Sequence, residues 1–467
     1  MLAVLATDPS GHGAHAVSQN ITYGFTGILI AMILCLALEE KLHAKKSLIV
    51  GLFAGVCMLL GGILHIIPFG QVTLPNGHHV SMPVYIPAVD WGVIAIILGS
   101  GIFVDVTSRS GLFTWIAIKL TKASGGDLMR LLWYYGLMTV IFSAVLNNVT
   151  AMIIVGSLTG VSLKRLEQSD KLLGFLLIEA LLTNIGGLLT LISSVPNIIV
   201  GQTAGISFMA FFFKAAPFVV IATIVTVLMG AKVFGIQKLI DDEEKEKASS
   251  LVAGFDENDG IDSPGFFKFG AIMLIAFIVV IASTSVLPVV KDLGMGFVAL
   301  FFASLMLIRY KHEVDEFYRA VDWDLLGFFV ALFVVINVME HALVLDLIGQ
   351  GVTAMVGSEE GPRGTSILLV AAAGFSSVTD NIPLAAMLAK ILASTGTAGD
   401  SSLWWSVIFG ANLGGNLTPI GSASTLVAVT LISKYKLNLS FAGFVKKAVP
   451  FAFVQIVLAI GYLLLFG

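Results

Sequence analysis

Charged residues are scarce in this sequence. Asp, Glu, Lys and Arg make up 12% of its 467 residues, whereas hydrophobic residues make up 57%. A water-soluble domain has about a quarter of its residues charged, so a soluble core could not bury this much apolar side chain. The bilayer is therefore the expected solvent, and we predict an all-α polytopic membrane protein.

Cysteine is also scarce, and the chain has no net positive charge. The two cysteines, Cys35 and Cys57, both lie in apolar stretches, which argues against a structural disulfide. The net charge of −4 argues against nucleic acid as a partner. The sequence contains neither HExxH nor GxSxG, nor paired intramembrane aspartates of the protease type. We therefore predict no enzymatic activity and no cofactor.

Apolar stretches long enough to cross a bilayer recur along the chain, and three further apolar regions are interrupted by small polar residues. Together they predict about 11 transmembrane segments. Of the 26 basic residues, all but Lys214, Lys291, Arg363 and Lys390 fall on one side of this arrangement. The positive-inside rule makes that side cytoplasmic, which places both termini outside the inner membrane.

The same assignment divides the chain into two halves. The stretch from Asp241 to Asp262 is acidic and polar, and we expect it to be a solvated cytoplasmic loop. Residues Met1 to Ala6 belong to an external tail or are the stub of a removed signal peptide. The predicted units are a tail at 1–20, a first inverted repeat at 21–235, a linker at 236–265 and a second inverted repeat at 266–467. Within the repeats we predict re-entrant hairpins at about 129–162 and 362–398, and broken helices at about 172–206 and 402–432.

Three internal echoes support the two repeats, because they occur in the same order and at nearly the same offset. Ala88-Val89-Asp90-Trp91 returns as Ala320-Val321-Asp322-Trp323, Phe142 to Asn148 as Phe375 to Asn381, and Asn184 to Thr190 as Asn412 to Thr418. Inverted repeats with discontinuous helices are typical of secondary transporters, whose binding sites lie near the midplane where the breaks meet.

The breaks are rich in amide and hydroxyl side chains, which are hard oxygen ligands suited to small cations. A purely structural role, as caps and interhelical hydrogen bonds, is the alternative for each. The candidate binding residues are Asn147, Asn148, Thr150, Asn184, Ser193, Ser194, Asn197, Thr379, Asn381, Asn412, Asn416, Thr418 and Ser422. With Asp380, the residues Asn147, Asn184 and Asn412 are the predicted Na⁺ ligands.

Two acids fall within apolar regions. Asp380 stands alone at the tip of the second hairpin, and a charge there is costly enough to indicate function. Proton and cation can compete for such a carboxylate, although Asp380 could also cap the half-helix that follows. Glu179 precedes the Asn184 break by five residues and is either a second proton carrier or the partner of a neighbour. Asp105 precedes Arg109 by four residues, which predicts an ion pair.

The residues at these breaks resemble the NhaD family of sodium/proton antiporters. The resemblance covers the chain from about residue 20 to its end. It rests on Ser194 to Gly201, on Asp380 to Leu384 and on Gly410 to Ser422. The family belongs to a superfamily that also includes arsenite pumps and carboxylate carriers. The resemblance implies two inverted repeats with scaffold and transport parts, a homodimer joined through the scaffold, and an elevator-like motion.

Two functions follow from this reading. The first is an antiporter that exchanges cytoplasmic Na⁺ or Li⁺ for external protons, with the bilayer, small cations and protons as its partners. The alternative is a Na⁺- or H⁺-coupled carrier of a carboxylate or oxyanion. The carboxylate carriers of the superfamily have Ser-Asn-Thr at both hairpin tips, whereas this sequence has Asn147 to Thr150 and Thr379 to Asn381, which argues against an anion.

Overall fold

The computed structural model describes residues 17–67, 71–73, 77–357, 361–379 and 381–466. Almost all of these residues are helical. The elements are α1 (Gln19–Ala37), α2 (Glu39–Leu42), α3 (Lys46–Ile63), β1 (Gln71–Thr73), β2 (His79–Ser81), α4 (Tyr85–Ala88), α5 (Trp91–Arg109), α6 (Leu112–Ala123), α7 (Leu128–Val145), α8 (Asn148–Arg165), α9 (Leu172–Gly186), α10 (Val195–Thr203), α11 (Phe208–Val233), α12 (Asp242–Ala253), α13 (Pro264–Ala282), α14 (Val290–Arg309), α15 (Val314–Ala320), α16 (Trp323–His341), α17 (Val344–Val356), α18 (Pro362–Ser376), α19 (Asn381–Ser394), α20 (Ser402–Gly414), α21 (Ala423–Lys434) and α22 (Phe441–Phe466). A short 3-10 turn, Ser169–Lys171, precedes α9, and β1 pairs antiparallel with β2.

Nine of the helices in the described part of the chain are long and apolar enough to cross a membrane: α1, α3, α5, α7, α11, α13, α14, α16 and α22. Their outward faces carry large exposed apolar side chains, such as Leu52, Ile272 and Phe453, as lipid contact requires. The predicted all-helical polytopic fold is confirmed.

The predicted interruptions occur as helix–break–helix units. In the first hairpin, α7 ends at Val145 and α8 begins at Asn148, and in the second α18 ends at Ser376 and α19 begins at Asn381. The two broken helices are α9 with α10 and α20 with α21, each joined by eight unwound residues, 187–194 and 415–422. Most residues of the two unwound segments, 187–194 and 415–422, are buried or half-buried, as backbone without helical hydrogen bonds must be inside a membrane.

The two halves share hydrogen bonds as well as the repeated sequence segments. The Asp90 carboxylate accepts a hydrogen bond from the Val93 amide, and Asp322 accepts one from Leu325 in the same way. Three more pairs match, and in each a side chain donates to a backbone carbonyl. Trp91 Nε1 donates to Ile86 and Trp323 Nε1 to Tyr318. Ser143 Oγ donates to Thr183 and Ser376 Oγ to Ala411, while Thr190 Oγ1 donates to Ala144 and Thr418 Oγ1 to Ser377. The internal repeat is therefore structural. Its inverted orientation and exact boundaries stay predictions.

The halves interlock instead of standing side by side. Helix α5 of the first half packs closely on α14 of the second, and α16 of the second packs on α3 of the first. At Gly99 a Cβ atom would come within 2.5 Å of the Leu300 nitrogen, so only glycine permits this approach. Helices of the two halves also contact each other near the breaks, where α10 packs on α19 and α8 packs on α21.

The linker differs from the expected solvated loop. Residues 242–253 form α12, whose Val252 is 2% exposed, and Phe255 just beyond it is also buried. The Arg165 guanidinium covers the Phe255 ring at 4.2 Å and donates to the Gly254 carbonyl at 2.9 Å. The polar composition of the linker did not reveal this apolar edge, which consists of Ala248, Val252 and Phe255.

Candidate functional site

A cavity of about 320 Å³ lies where the hairpin tips and the unwound segments meet. Helices α5, α15 and α16 form its other wall. The polar residues that line it are Asp105, Asn147, Asn148, Thr150, Ser193, Ser194, Asp322, Asn381, Ser422 and Ser424. Seven of the predicted binding residues are thus brought together from two hairpins and two broken helices.

Four half-helices begin at this cavity: α8, α10, α19 and α21. The Asn147 side chain accepts from the Thr150 amide at 2.7 Å, and Ser422 Oγ accepts from the Thr425 amide at 3.3 Å. Ser194 starts α10 without a side-chain cap, and Pro196 is in the first turn of that helix. The first-turn amides and the helix dipoles give this wall a partial positive character.

Amide side chains form a second layer behind the lining. Asn184 Nδ2 donates to Asn416 Oδ1 at 2.8 Å and to Ser422 Oγ at 3.0 Å, while its oxygen accepts from Ser424 Oγ at 3.2 Å. Asn148 Nδ2 lies 3.5 Å from the same oxygen. Asn184 is therefore fully engaged by protein groups, and it joins the first broken helix to the second.

The equivalent amide, Asn412, makes the reciprocal connection. Its Nδ2 donates to Asn197 Oδ1 at 2.9 Å and to the Ile408 carbonyl at 2.8 Å. Asn197 Nδ2 donates in turn to the unwound carbonyls of Gly187 and Thr190. The Oδ1 atom of Asn412 is buried without a hydrogen-bond partner among the described residues, so it remains available as an oxygen ligand.

The charged side chains that line the cavity are acidic. Asp105 and Asp322 belong to the lining, and none of the described lining residues is basic. The predicted ion pair is present, since Asp105 Oδ2 lies 3.5 Å from Arg109 Nε. Arg109 also contacts Glu316 at 3.1 Å, so its charge is shared between two carboxylates. The lining therefore carries a net negative charge from its side chains.

Several predicted residues lie elsewhere. Thr418 and Thr379 bond to the carbonyls of Ser377 and Phe375 and are outside the lining. Glu179 is buried in α9 away from the cavity. Asp380 lies outside the described residues, although its neighbour Asn381 is in the lining. Whether any of these residues binds an ion stays a prediction.

The structure adds residues that the sequence reasoning missed. Asp322 and Ser424 line the cavity, and Gln455 of α22 receives a hydrogen bond from Asn416 Nδ2 at 2.8 Å. Gln455 Nε2 donates onward to Thr226 Oγ1 at 2.9 Å, which extends the amide layer to α11. Gln455 is a single amide in an apolar helix, and that isolation was the signal available in the sequence.

The sequence is similar to known families of membrane proteins. Residues 28–410 match the model of a family described as "Citrate transporter", CitMHS. The chain belongs to this family. A 46 kDa membrane protein of Mycobacterium leprae is 30% identical over 382 residues, which cover 80% of this chain and 86% of the relative. An uncharacterised transporter of Synechocystis is 25% identical over 93% of this chain and 95% of its own length.

Solved structures agree on the fold. The YdaH transporter of Alcanivorax borkumensis superposes with a TM-score of 0.57 at 13% identity, covering 90% of this chain and 98% of that one. Family and relatives are transporters, so the chain is a multi-pass membrane transporter and not an enzyme. The NhaD assignment within the wider superfamily, like the homodimer and the orientation of the termini, stays a prediction.

Proposed function

We propose that the chain exchanges Na⁺ or Li⁺ for protons by alternating access at the cavity between the hairpin tips. The observation that carries this proposal is the lining, which has amide and hydroxyl oxygens, two carboxylates and no basic side chain among its described residues. Hard oxygen donors of this kind suit small hard cations. An anion would instead face Asp105 and Asp322 without a compensating Lys or Arg.

In this proposal the proton and the metal cation compete for the carboxylate of Asp380. In the sequence it stands between Thr379 and Asn381, and Asn381 belongs to the lining. Loaded with either a proton or a monovalent cation, its carboxylate is neutral and can cross a low-dielectric barrier, whereas the bare anion is held back by its desolvation cost.

Carriage of a carboxylate is the second candidate. Four half-helices direct their first-turn amides toward one cavity, an arrangement that binds anions well. The family description, "Citrate transporter", points the same way. Four partial dipole charges of about half an elementary charge each could offset the two lining carboxylates.

A reconstituted system distinguishes the candidates. Proteoliposomes that contain a pH-sensitive dye would receive Na⁺, Li⁺, K⁺ or citrate in turn, with citrate entry also followed by radiolabel. We expect Na⁺ and Li⁺ to move protons in the opposite direction and citrate to leave the dye unchanged. Uptake of labelled citrate without cation–proton exchange would establish the second candidate instead.

The Asp380→Asn variant tests the carboxylate in the same assay. It keeps the size and hydrogen bonding of the side chain but removes the titrating group, so exchange should be lost. Glu340→Gln is the matched control, because Glu340 is half-exposed, pairs with Lys390 at 3.4 Å and is outside the lining. A folded Asp380→Asn protein with wild-type exchange would rule Asp380 out as the carrier.

A further inference from the structure

An acid is buried in the middle of α9 (Leu172–Gly186). Glu179 is 0% exposed, and its Oε1 accepts a hydrogen bond from Thr159 Oγ1 at 2.5 Å. The other oxygen, Oε2, is buried without a hydrogen-bond partner among the described residues. An ionised carboxylate in such a position would be uncompensated, so the geometry suits an acid that takes up and releases a proton.

No counter-charge reaches Glu179 from the described residues packed around it. In helix α7 the charged residue is Arg130, two residues from the start of that helix, and Asp170 and Lys171 before α9 pair with each other at 3.3 Å. The charged residues of the remaining neighbouring helices lie near the ends of those helices: Lys164 and Arg165 of α8, Lys214 and Lys232 of α11, Lys434 of α21, and Lys446 and Lys447 of α22.

A row of buried hydroxyls leads toward this acid. Thr121 Oγ1 of α6 lies 2.5 Å from Tyr135 Oη of α7, which lies 2.8 Å from Ser162 Oγ of α8. Ser162 is one turn along α8 from Thr159, the residue that contacts Glu179. Tyr135 and Glu179 are each seven residues inside their helices, about 10 Å by the helical rise, and those two helices pack against each other.

We propose that Glu179 is a proton-binding residue of the transport cycle, loaded through the hydroxyls of Thr121, Tyr135 and Ser162 and, as the last donor, through that of Thr159. Each hydroxyl accepts one proton and passes another on, so the row returns to its starting state while the solvent loses a proton and the carboxylate becomes a carboxylic acid. Glu179 and Asn184 share helix α9, which gives the protonation state a direct mechanical link to the amide layer. This assignment rests on the proposed coupling of transport to protons.

Infrared difference spectroscopy on the full chain in lipid nanodiscs tests the site without any transported substrate. A pH step should produce a carboxylic-acid C=O band that shifts in D₂O. We expect Glu179→Gln to lose this band, since it keeps the size and the acceptor for Thr159 but cannot ionise. Glu340→Gln, with its half-exposed side chain, should keep it. A Glu179→Gln spectrum identical to that of the wild type would overturn the proposal.

Two further variants complete the test. Tyr135→Phe should keep the band but slow its appearance severalfold after the pH step, and an unchanged rate would refute the hydroxyl row. If Glu179→Gln does not fold, Glu179→Asp should keep a band at a shifted frequency, and an unshifted band would overturn the assignment. Wild-type protein that shows the band but moves neither Na⁺ nor citrate would refute the proposed substrate alone. Exchange in Glu179→Gln that matches the wild type at every pH would refute the role of Glu179 alone.

Discussion

Single side chains in the breaks act mainly as donors to unwound backbone. In the first broken helix, Asn197 Nδ2 contacts the carbonyls of Gly187 and Thr190 at 2.7 and 3.0 Å. Ser193 Oγ lies 2.7 Å from both of these carbonyls and, with a single proton, donates to one of them at a time. Both side chains are buried, so the two carbonyls share three protein donor protons in place of water.

This shared pair of acceptors predicts a non-additive double mutant. Ser193→Ala leaves each carbonyl one amide proton, whereas Asn197→Ala leaves the two carbonyls a single hydroxyl proton, and either change should lower the free energy of unfolding by about 1–2 kcal/mol. The double variant leaves both carbonyls without a side-chain donor, so its loss should exceed the sum by at least about 1 kcal/mol. Thermal unfolding in detergent measures the cycle. Strict additivity would show that water or a backbone shift replaces the missing donors.

At the scale of elements, the linker helix α12 is held against α6 and α8 of the first half through its apolar edge and through ion pairs. The Glu257 carboxylate forms ion pairs with Lys119 Nζ at 2.5 Å and with Lys122 Nζ at 2.8 Å, and these pairs attach the chain beyond α12 to α6. The hydrogen bonds from these two lysines lower the pKa of Glu257 to about 2. Close packing adds to the tie, because a Cβ on Gly126 would come within 2.7 Å of Ala248 Cβ.

The linker should therefore stay docked over the physiological pH range. Because the pKa of Glu257 is lowered, its ion pairs contribute fully above the ordinary glutamate value of about 4.3 and are lost as pH falls toward 2. We expect limited proteolysis within 241–262 to be equally slow at about pH 5 and about pH 8 in the wild type. Glu257→Gln should be cleaved faster at both values, whereas Asp242→Asn, at an exposed i,i+3 pair, should not. Cleavage of Glu257→Gln at the wild-type rate would show that the apolar edge alone docks the linker.

At the scale of the whole molecule, the two halves depend on each other. Each half places a scaffold helix against the other half, α5 on α14 and α16 on α3, and the amide layer crosses between them at Asn184 and Asn416. Neither half can bury these faces by itself, because the complementary surface belongs to its partner.

Fragments 1–259 and 260–467 test this interdependence. Expressed together in one membrane, they should assemble into a complex that co-purifies and elutes as one species, since the missing bond lies in the surface linker. Each fragment alone should aggregate or be degraded. As a matched control, the co-expressed pair with Gly99→Leu should assemble less, because a side chain at Gly99 meets the backbone of α14. A stable, monodisperse 1–259 fragment would contradict the interlocked arrangement.

Local chemistry in the sequence determined the membrane class, the positions of the helix breaks and the internal repeat. Apolar run length predicts a span, and clusters of Asn, Gly, Pro, Ser and Thr within an apolar region predict an interruption, so these features needed no partner. Only the tertiary structure decided which polar groups meet. Asn184 and Asn416 are 232 residues apart, and nothing in either segment indicates that their side chains bond to each other while Asp105 and Asp322 join the cavity. Likewise, the docking of α12 depends on a surface formed by α6 and α8. Long-range packing selects such partners, whereas a one-dimensional pattern records only how each segment folds by itself.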